Sequence, residues 1–122
     1  IRPFEYYYNS LMHRHTCYRL ATIVAFTING SEYLIESFLR EALEIFGNKS
    51  QGLTSEGTQY AFYYYGGTKI KKSNNSAEKW GLRTPNSSTS SSNRRFVDVT
   101  ASGGRSYSAY SAEIGCSPVL PL

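Results

Sequence analysis

Two cysteines, Cys17 and Cys116, stand near opposite ends of a chain of 122 residues, 99 positions apart. A pair admits a single connectivity. Neither lies in a C-x-x-C, and no Cys/His cluster has zinc spacing. A disulfide between them would close nearly the whole chain and stabilise it by up to about 4.7 kcal/mol in the chain-entropy treatment. Two buried free thiols are the other reading. The length suits one domain, residues 1–122, and leaves no room for a second core. With 40% hydrophobic and 18% charged residues, the chain is too apolar to be wholly disordered. No run reaches 18 consecutive apolar residues, so a spanning helix is not expected. The chain begins at Ile1 without an initiator Met, as expected of a mature protein after leader removal or of a chain trimmed to that point. Asn-X-Ser sequons at Asn29, Asn48, Asn74 and Asn86 add weak support for secretion.

Charge is unevenly placed. Residues 69–105 hold eight cations (Lys69, Lys71, Lys72, Lys79, Arg83, Arg94, Arg95 and Arg105) against Glu78 and Asp98. The remainder has five cations and seven carboxylates. Such a split suggests a basic face able to meet a polyanion, or a solubilising surface.

Phe4–Tyr8 and Thr16–Thr27 carry aromatic and β-branched residues and read as strands. Asn29-Gly30 reads as a turn. Ser31–Phe46 reads as the helix. Ser31 supplies an N-cap, Ile35, Phe38, Leu39, Ala42 and Phe46 recur at spacings of three and four, and Gly47 stops the run. Lys49–Gly57 is a loop. Tyr60–Tyr65 and Thr68–Lys72 read as strands joined at Gly66-Gly67. Ser73–Asn93 is a long polar connection with one strand-capable point at Trp80–Leu82, and its core, Asn86–Asn93, is expected to be mobile. Arg95–Thr100 and Tyr107–Ile114 flank a turn at Gly103-Gly104. The expected fold class is α+β, one helix on a mainly antiparallel sheet.

This order of elements resembles the microbial guanyl-specific ribonuclease fold and, more narrowly, the secreted RNase-like effectors of powdery mildew fungi. The matching pieces are Cys17, the Ser31–Phe46 helix, the Arg95–Ile114 hairpin and Gly115-Cys116. The resemblance covers nearly the whole chain and rests on layout. Where those effectors usually carry an aromatic residue two places before the first Cys, this chain has His15. The resemblance implies a ribonuclease-like fold with one disulfide joining the chain ends. It also implies secretion by a fungus and action in the host cell cytoplasm, as a virulence effector open to recognition by an intracellular NLR immune receptor of the plant. The expected partners are that receptor and a host protein target, with RNA as a further candidate and no membrane.

Metal-independent RNA cleavage needs a base, an acid and a cation near the phosphate. The ribonucleases of this resemblance place a His on a late strand, whereas both histidines here, His13 and His15, precede Cys17. The acids of the central and late region are Glu78, Asp98 and Glu113. A non-catalytic member with no cofactor and no metal is therefore expected. His13 and His15 sit two apart and would share one face of a strand, leaving an unusual acid–base pair open. There is no G-x-S-x-G, and Gly66-Gly67-Thr68-Lys69 is too short for a P-loop. For RNA binding the candidates are Tyr63, Tyr65, Lys69, Lys71, Lys72, Lys79, Arg94 and Arg95, with Tyr64 and Trp80 as further stacking rings. Aromatic rings stack on bases and cations meet phosphates. The same tyrosines also suit a half-buried sheet. A sugar-stacking module is a third class that nothing else favours.

Overall fold

Alternation along β7 (Trp80–Pro85) and β8 (Arg95–Val99) organises the molecule. In the computed structural model, which describes residues 4–5, 7–21, 23–28, 31–36, 39–48, 57–85 and 95–120, these two strands lie inside a five-stranded sheet. Its order is β2 (Leu11–His13), β10 (Glu113–Gly115), β7, β8, β9 (Arg105–Ala109). All neighbours are antiparallel except β10 and β7, which run parallel with Gly115 opposite Trp80. Three two-stranded pairs surround it: β1 (Phe4–Glu5) with β11 (Val119–Leu120), β3 (Ile23–Ile28) with β4 (Ser31–Glu36), and β5 (Lys71–Ser73) with β6 (Ser76–Glu78).

Successive side chains of a strand point to opposite faces. On one face, Trp80, Leu82, Val97 and Val99 pack with Ala42 and Ile45 of α2 (Ala42–Phe46) and with Tyr63 of α3 (Ala61–Tyr64). On the other, Gly81 and Asp98 admit Arg14 of α1 (Arg14–Leu20). A Cβ at Gly81 would lie 2.2 Å from Ile114 Cδ1 and 3.0 Å from Arg14 Nη1, so that close approach requires glycine. A second buried cluster joins Cys17, Ala21, Leu39, Ile114 and Cys116. Cys17 and Cys116 form the disulfide, with both residues fully buried. The fold is thus mixed α/β with a mainly antiparallel sheet and the expected disulfide.

The helix expected over Ser31–Phe46 is corrected. Ser31–Glu36 is strand β4, paired over its whole length with β3, Ile28 opposite Ser31 and Ile23 opposite Glu36. Ser31-Glu32-Tyr33-Leu34-Ile35-Glu36 has period-two alternation as well as helical spacing, and a partner strand two residues upstream decides between them. The turn expected at Asn29-Gly30 lies outside the described residues. Among the described residues of that expected helix only Ala42–Phe46 is helical, capped where Glu44 accepts from the Glu41 N–H at 2.7 Å and ended by Gly47 at φ 76°.

The single-helix expectation is likewise corrected, since the described residues contain three short helices. Thr16–Thr27, expected as one strand, is divided between α1 and β3. Tyr60–Tyr65 is a helical turn rather than a strand: the Tyr64 and Tyr65 N–H groups donate to the Tyr60 and Ala61 carbonyls at 2.9 Å. Gly66, at φ 90°, and Gly67 then form its Schellman cap, donating to the Tyr63 and Phe62 carbonyls at 3.2 and 2.8 Å. A Gly-Gly pair serves a hairpin turn and a helix end equally well, which explains the misreading. The hairpin β5–β6 turns instead at Asn74-Asn75, both at positive φ. Of the polar connection expected over Ser73–Asn93, residues 73–85 contribute to that hairpin and β7, and residues 86–93, the core expected to be mobile, lie outside the described residues. Most of the Lys49–Gly57 loop also lies outside them. The late hairpin stands as expected, β8 and β9 pairing from Arg95–Ala109 to Val99–Arg105. β9 ends at Ala109, however, and Glu113–Gly115 crosses to a different neighbour as β10.

Candidate functional site

The candidate basic face is divided by the fold. Lys71 is half-buried and bonds Glu5 Oε2 at 2.9 Å. Tyr63 is buried, and its hydroxyl donates to the same carboxylate at 2.8 and 2.9 Å. Arg40, fully buried, reaches Glu5 Oε1 at 2.5 Å. Its guanidinium carbon and Lys71 Nζ both lie over the Trp80 ring, at 5.0 and 4.9 Å. Trp80 is itself fully buried and donates from Nε1 to the Lys69 carbonyl at 2.8 Å. Glu5, Arg40, Lys71, Tyr63 and Trp80 therefore form an internal polar network, and Trp80 and Tyr63 present no face to a base. Burial raises the Glu5 carboxyl, but Arg40, Lys71 and the hydrogen bonds of Lys71 and Tyr63 outweigh it and hold it below the ordinary range. Burial, then Glu5, pushes the Tyr63 hydroxyl up.

Of the other expected RNA contacts, Lys69 Nζ lies 5.9 Å above the Tyr63 ring, Lys79 is half-buried, and Lys72, Tyr65 and Arg95 are exposed. Arg94 lies outside the described residues. Lys79 adjoins Trp80, which pairs with Val99, whereas Arg95 is four residues further along β8, about 13 Å away. Lys69 thus stands near α3, and Arg95 at the far end of β8 from the Trp80–Val99 pair. Arg105 bonds the Asn48 carbonyl at 2.9 Å and its side-chain oxygen at 2.7 Å.

The histidines form a different surface. His13 ends β2 and His15 lies in the first turn of α1, so they do not share a strand face as expected. Their rings still stack, centroids 5.5 Å apart and planes 7° from parallel. Tyr110 continues the row beyond His15 at 6.3 Å. His13 Nδ1 lies 3.0 Å from the Ser111 carbonyl, which can only accept, so Nδ1 carries the proton and the neutral ring keeps its lone pair on Nε2. Glu113 is the cross-strand partner of His13. Both histidines and Glu113 are exposed. Beneath them, Tyr18 packs edge-on against Phe96 and Tyr110. Its hydroxyl is pushed up to about 12, first by burial. Among the described residues no group of three or more His, Cys, Asp or Glu is gathered to hold a metal ion.

The buried pair Arg14–Asp98 was not anticipated. Asp98 is the one carboxylate on β7, β8 and β9, and it is fully buried against Arg14. Arg14 also donates to the Leu82 carbonyl at 3.1 Å and to Ser108 Oγ at 2.6 Å. The outward side of α3 was missed for another reason. Phe62, Tyr64 and Tyr65 are 58%, 68% and 82% exposed, and Ile70 is 41% exposed. Strand alternation would have buried one ring in two, whereas the helical turn buries Tyr63 alone of that run. No family model, curated protein or solved structure matches this chain.

Proposed function

We propose that this protein is a non-catalytic, secreted effector of the RNase-like kind found in powdery mildew fungi. It would act in the host cytoplasm through contact with a host protein and be open to recognition by a plant NLR receptor. The observation that carries the reading is the fate of Asp98. The one carboxylate on the central strands is sealed beneath α1 by Arg14 and cannot reach a ribose or a phosphate without unfolding that face. Glu5, Arg40 and Lys71 are likewise engaged with one another, which supports a structural use of the ionisable groups near the sheet. The disulfide supports a scaffold that tolerates variation in its surface loops. Expressing this chain in leaf cells together with individual NLR receptors tests the reading. Receptor-dependent cell death is the expected result, and a protein that neither binds a host protein nor triggers any receptor contradicts it.

A second reading, an RNA-binding or weakly active ribonuclease-like protein, is favoured by His13. Its Nε2 lone pair is set by the Ser111 hydrogen bond, with His15 stacked beside it and Glu113 opposite. RNA cleavage lost on His13→Ala would replace the first reading with this one.

A further inference from the structure

Four of the large apolar side chains most exposed in the described structure fall within nine residues of chain, Phe62, Tyr64, Tyr65 and Ile70. The Phe62 ring folds over Gly67, where a Cβ would come within 2.5 Å of Phe62 Cε2. Phe62 meets Tyr63 edge-on at 5.1 Å, and Lys69 Nζ lies over the other side of that cluster. Ile70 abuts the β8–β9 turn, 3.6 Å from where a Cβ on Gly103 would be. The Schellman cap at Gly66-Gly67 fixes the turn that ends this exposed tip, the α3 knob.

Lysine is the charged residue type in this stretch of chain. From Gly57 to Ala77 the sequence has Lys69, Lys71 and Lys72 and no carboxylate. Lys71 is engaged by Glu5, which leaves Lys69 beside the rings and Lys72 exposed. Tyr64 and Tyr65 stand at 89° to each other, 4.9 Å apart. A strand of stacked bases needs rings that offer their faces in succession, and this pair offers one face and one edge. A hydrocarbon boundary makes no such demand. Aromatic residues with a polar end settle at the headgroup level, and neighbouring lysines are drawn to anionic lipid.

We propose that the α3 knob, Phe62, Tyr64, Tyr65 and Ile70 with Lys69 and Lys72, is a docking surface for an anionic lipid bilayer. It holds the protein at the membrane surface without spanning it. Among the described residues no helix is long and apolar enough to span, and surface docking needs none. This inference is independent of whether the protein is an effector, because it rests on the knob alone.

Flotation of the oxidised protein with extruded vesicles tests it, using phosphatidylcholine alone and phosphatidylcholine with about a quarter phosphatidylserine. The protein floats with the anionic vesicles, far less with the neutral ones, and less as salt rises. The double variant Phe62→Ser/Tyr65→Ser lowers the bound fraction roughly tenfold, and Lys72→Glu removes the preference for anionic lipid. Both variants alter exposed side chains, and an intact disulfide by mass together with an unchanged circular dichroism spectrum establishes that they are folded. Tyr65→Trp adds a second readout, a blue shift of emission on adding anionic vesicles that the parent, with Trp80 buried, does not show. Absence of flotation, flotation indifferent to the double variant, or equal flotation with neutral lipid overturns the proposal. So does capture by immobilised polyglutamate or polyuridylate through the same residues while vesicles are ignored, which would assign the knob to an acidic protein or to RNA.

Discussion

Asp98 and Arg14 are both fully buried, and burying two charges costs several kcal/mol per ion before their mutual attraction is counted. The arrangement holds because Arg14 has further acceptors in the Leu82 carbonyl and Ser108 Oγ. Removing one partner strands the other. Asp98→Ala is therefore expected to lower the unfolding free energy by about 3–5 kcal/mol, measured by urea denaturation. The paired replacement Arg14→Met/Asp98→Leu should cost much less. A change in Asp98→Ala below about 0.5 kcal/mol would contradict this account of the pair. Neither residue was legible as a partner in the sequence. Arg14 lies between two histidines near one end and Asp98 among alternating apolar residues 84 positions away, and the pairing of β2 with β10 and of β10 with β7 brings the N-terminal segment onto that face.

At the scale of elements, β1 is the weakly attached piece. Its two residues pair with β11 through Phe4–Leu120 and Glu5–Val119, and Glu5 adds the contacts to Arg40, Lys71 and Tyr63. The Glu5 carboxyl is held below its ordinary value of 4.5, so the folded state favours the ionised form. That contribution is complete above the unfolded value and is lost as pH falls through the lower folded one. Hydrogen-exchange protection factors at β1 and β11, corrected for the intrinsic pH dependence of exchange, should fall in the parent as pH drops below the ordinary carboxylate value, while Glu5→Gln shows low protection already at neutral pH. Protection at β1 that is indifferent to both changes would show that the network does not hold the strand. The elements also show what patterns can and cannot decide. The β8–β9 hairpin was readable because Val97 and Val99 alternate with Asp98 ahead of Gly103-Gly104. Ser31–Glu36 was not, because its residues fit both periods and the choice depended on pairing with Ile23–Ile28. The Tyr60–Tyr65 run was misread because aromatic density signals a strand while the i to i+4 bonds and a glycine cap make one helical turn.

For the molecule as a whole, the disulfide was the most legible feature, since two cysteines leave one connectivity and no competing metal motif. It joins α1 to the segment after β10, and both residues are inaccessible to solvent. Cys17→Ala/Cys116→Ala should destabilise the fold by about 2–5 kcal/mol. Dithiothreitol should reduce the parent slowly in native buffer and rapidly in urea, because a thiolate must reach a buried sulfur. Equal reduction rates in the two would mean that the bond is open to solvent in the folded protein. The candidate sites were less legible. Summed charge over residues 69–105 suggested one basic face, but the fold places Lys79 and Arg95 apart and engages Lys71 within the molecule. Net charge along a chain carries no information about which strand end a residue will occupy. The non-catalytic reading depends on what the exposed His13, His15 and Glu113 do not accomplish. Incubating purified, oxidised protein with single-stranded RNA at low and moderate salt measures that directly. The account predicts intact RNA, and cleavage that disappears in His13→Ala or His15→Ala would contradict it.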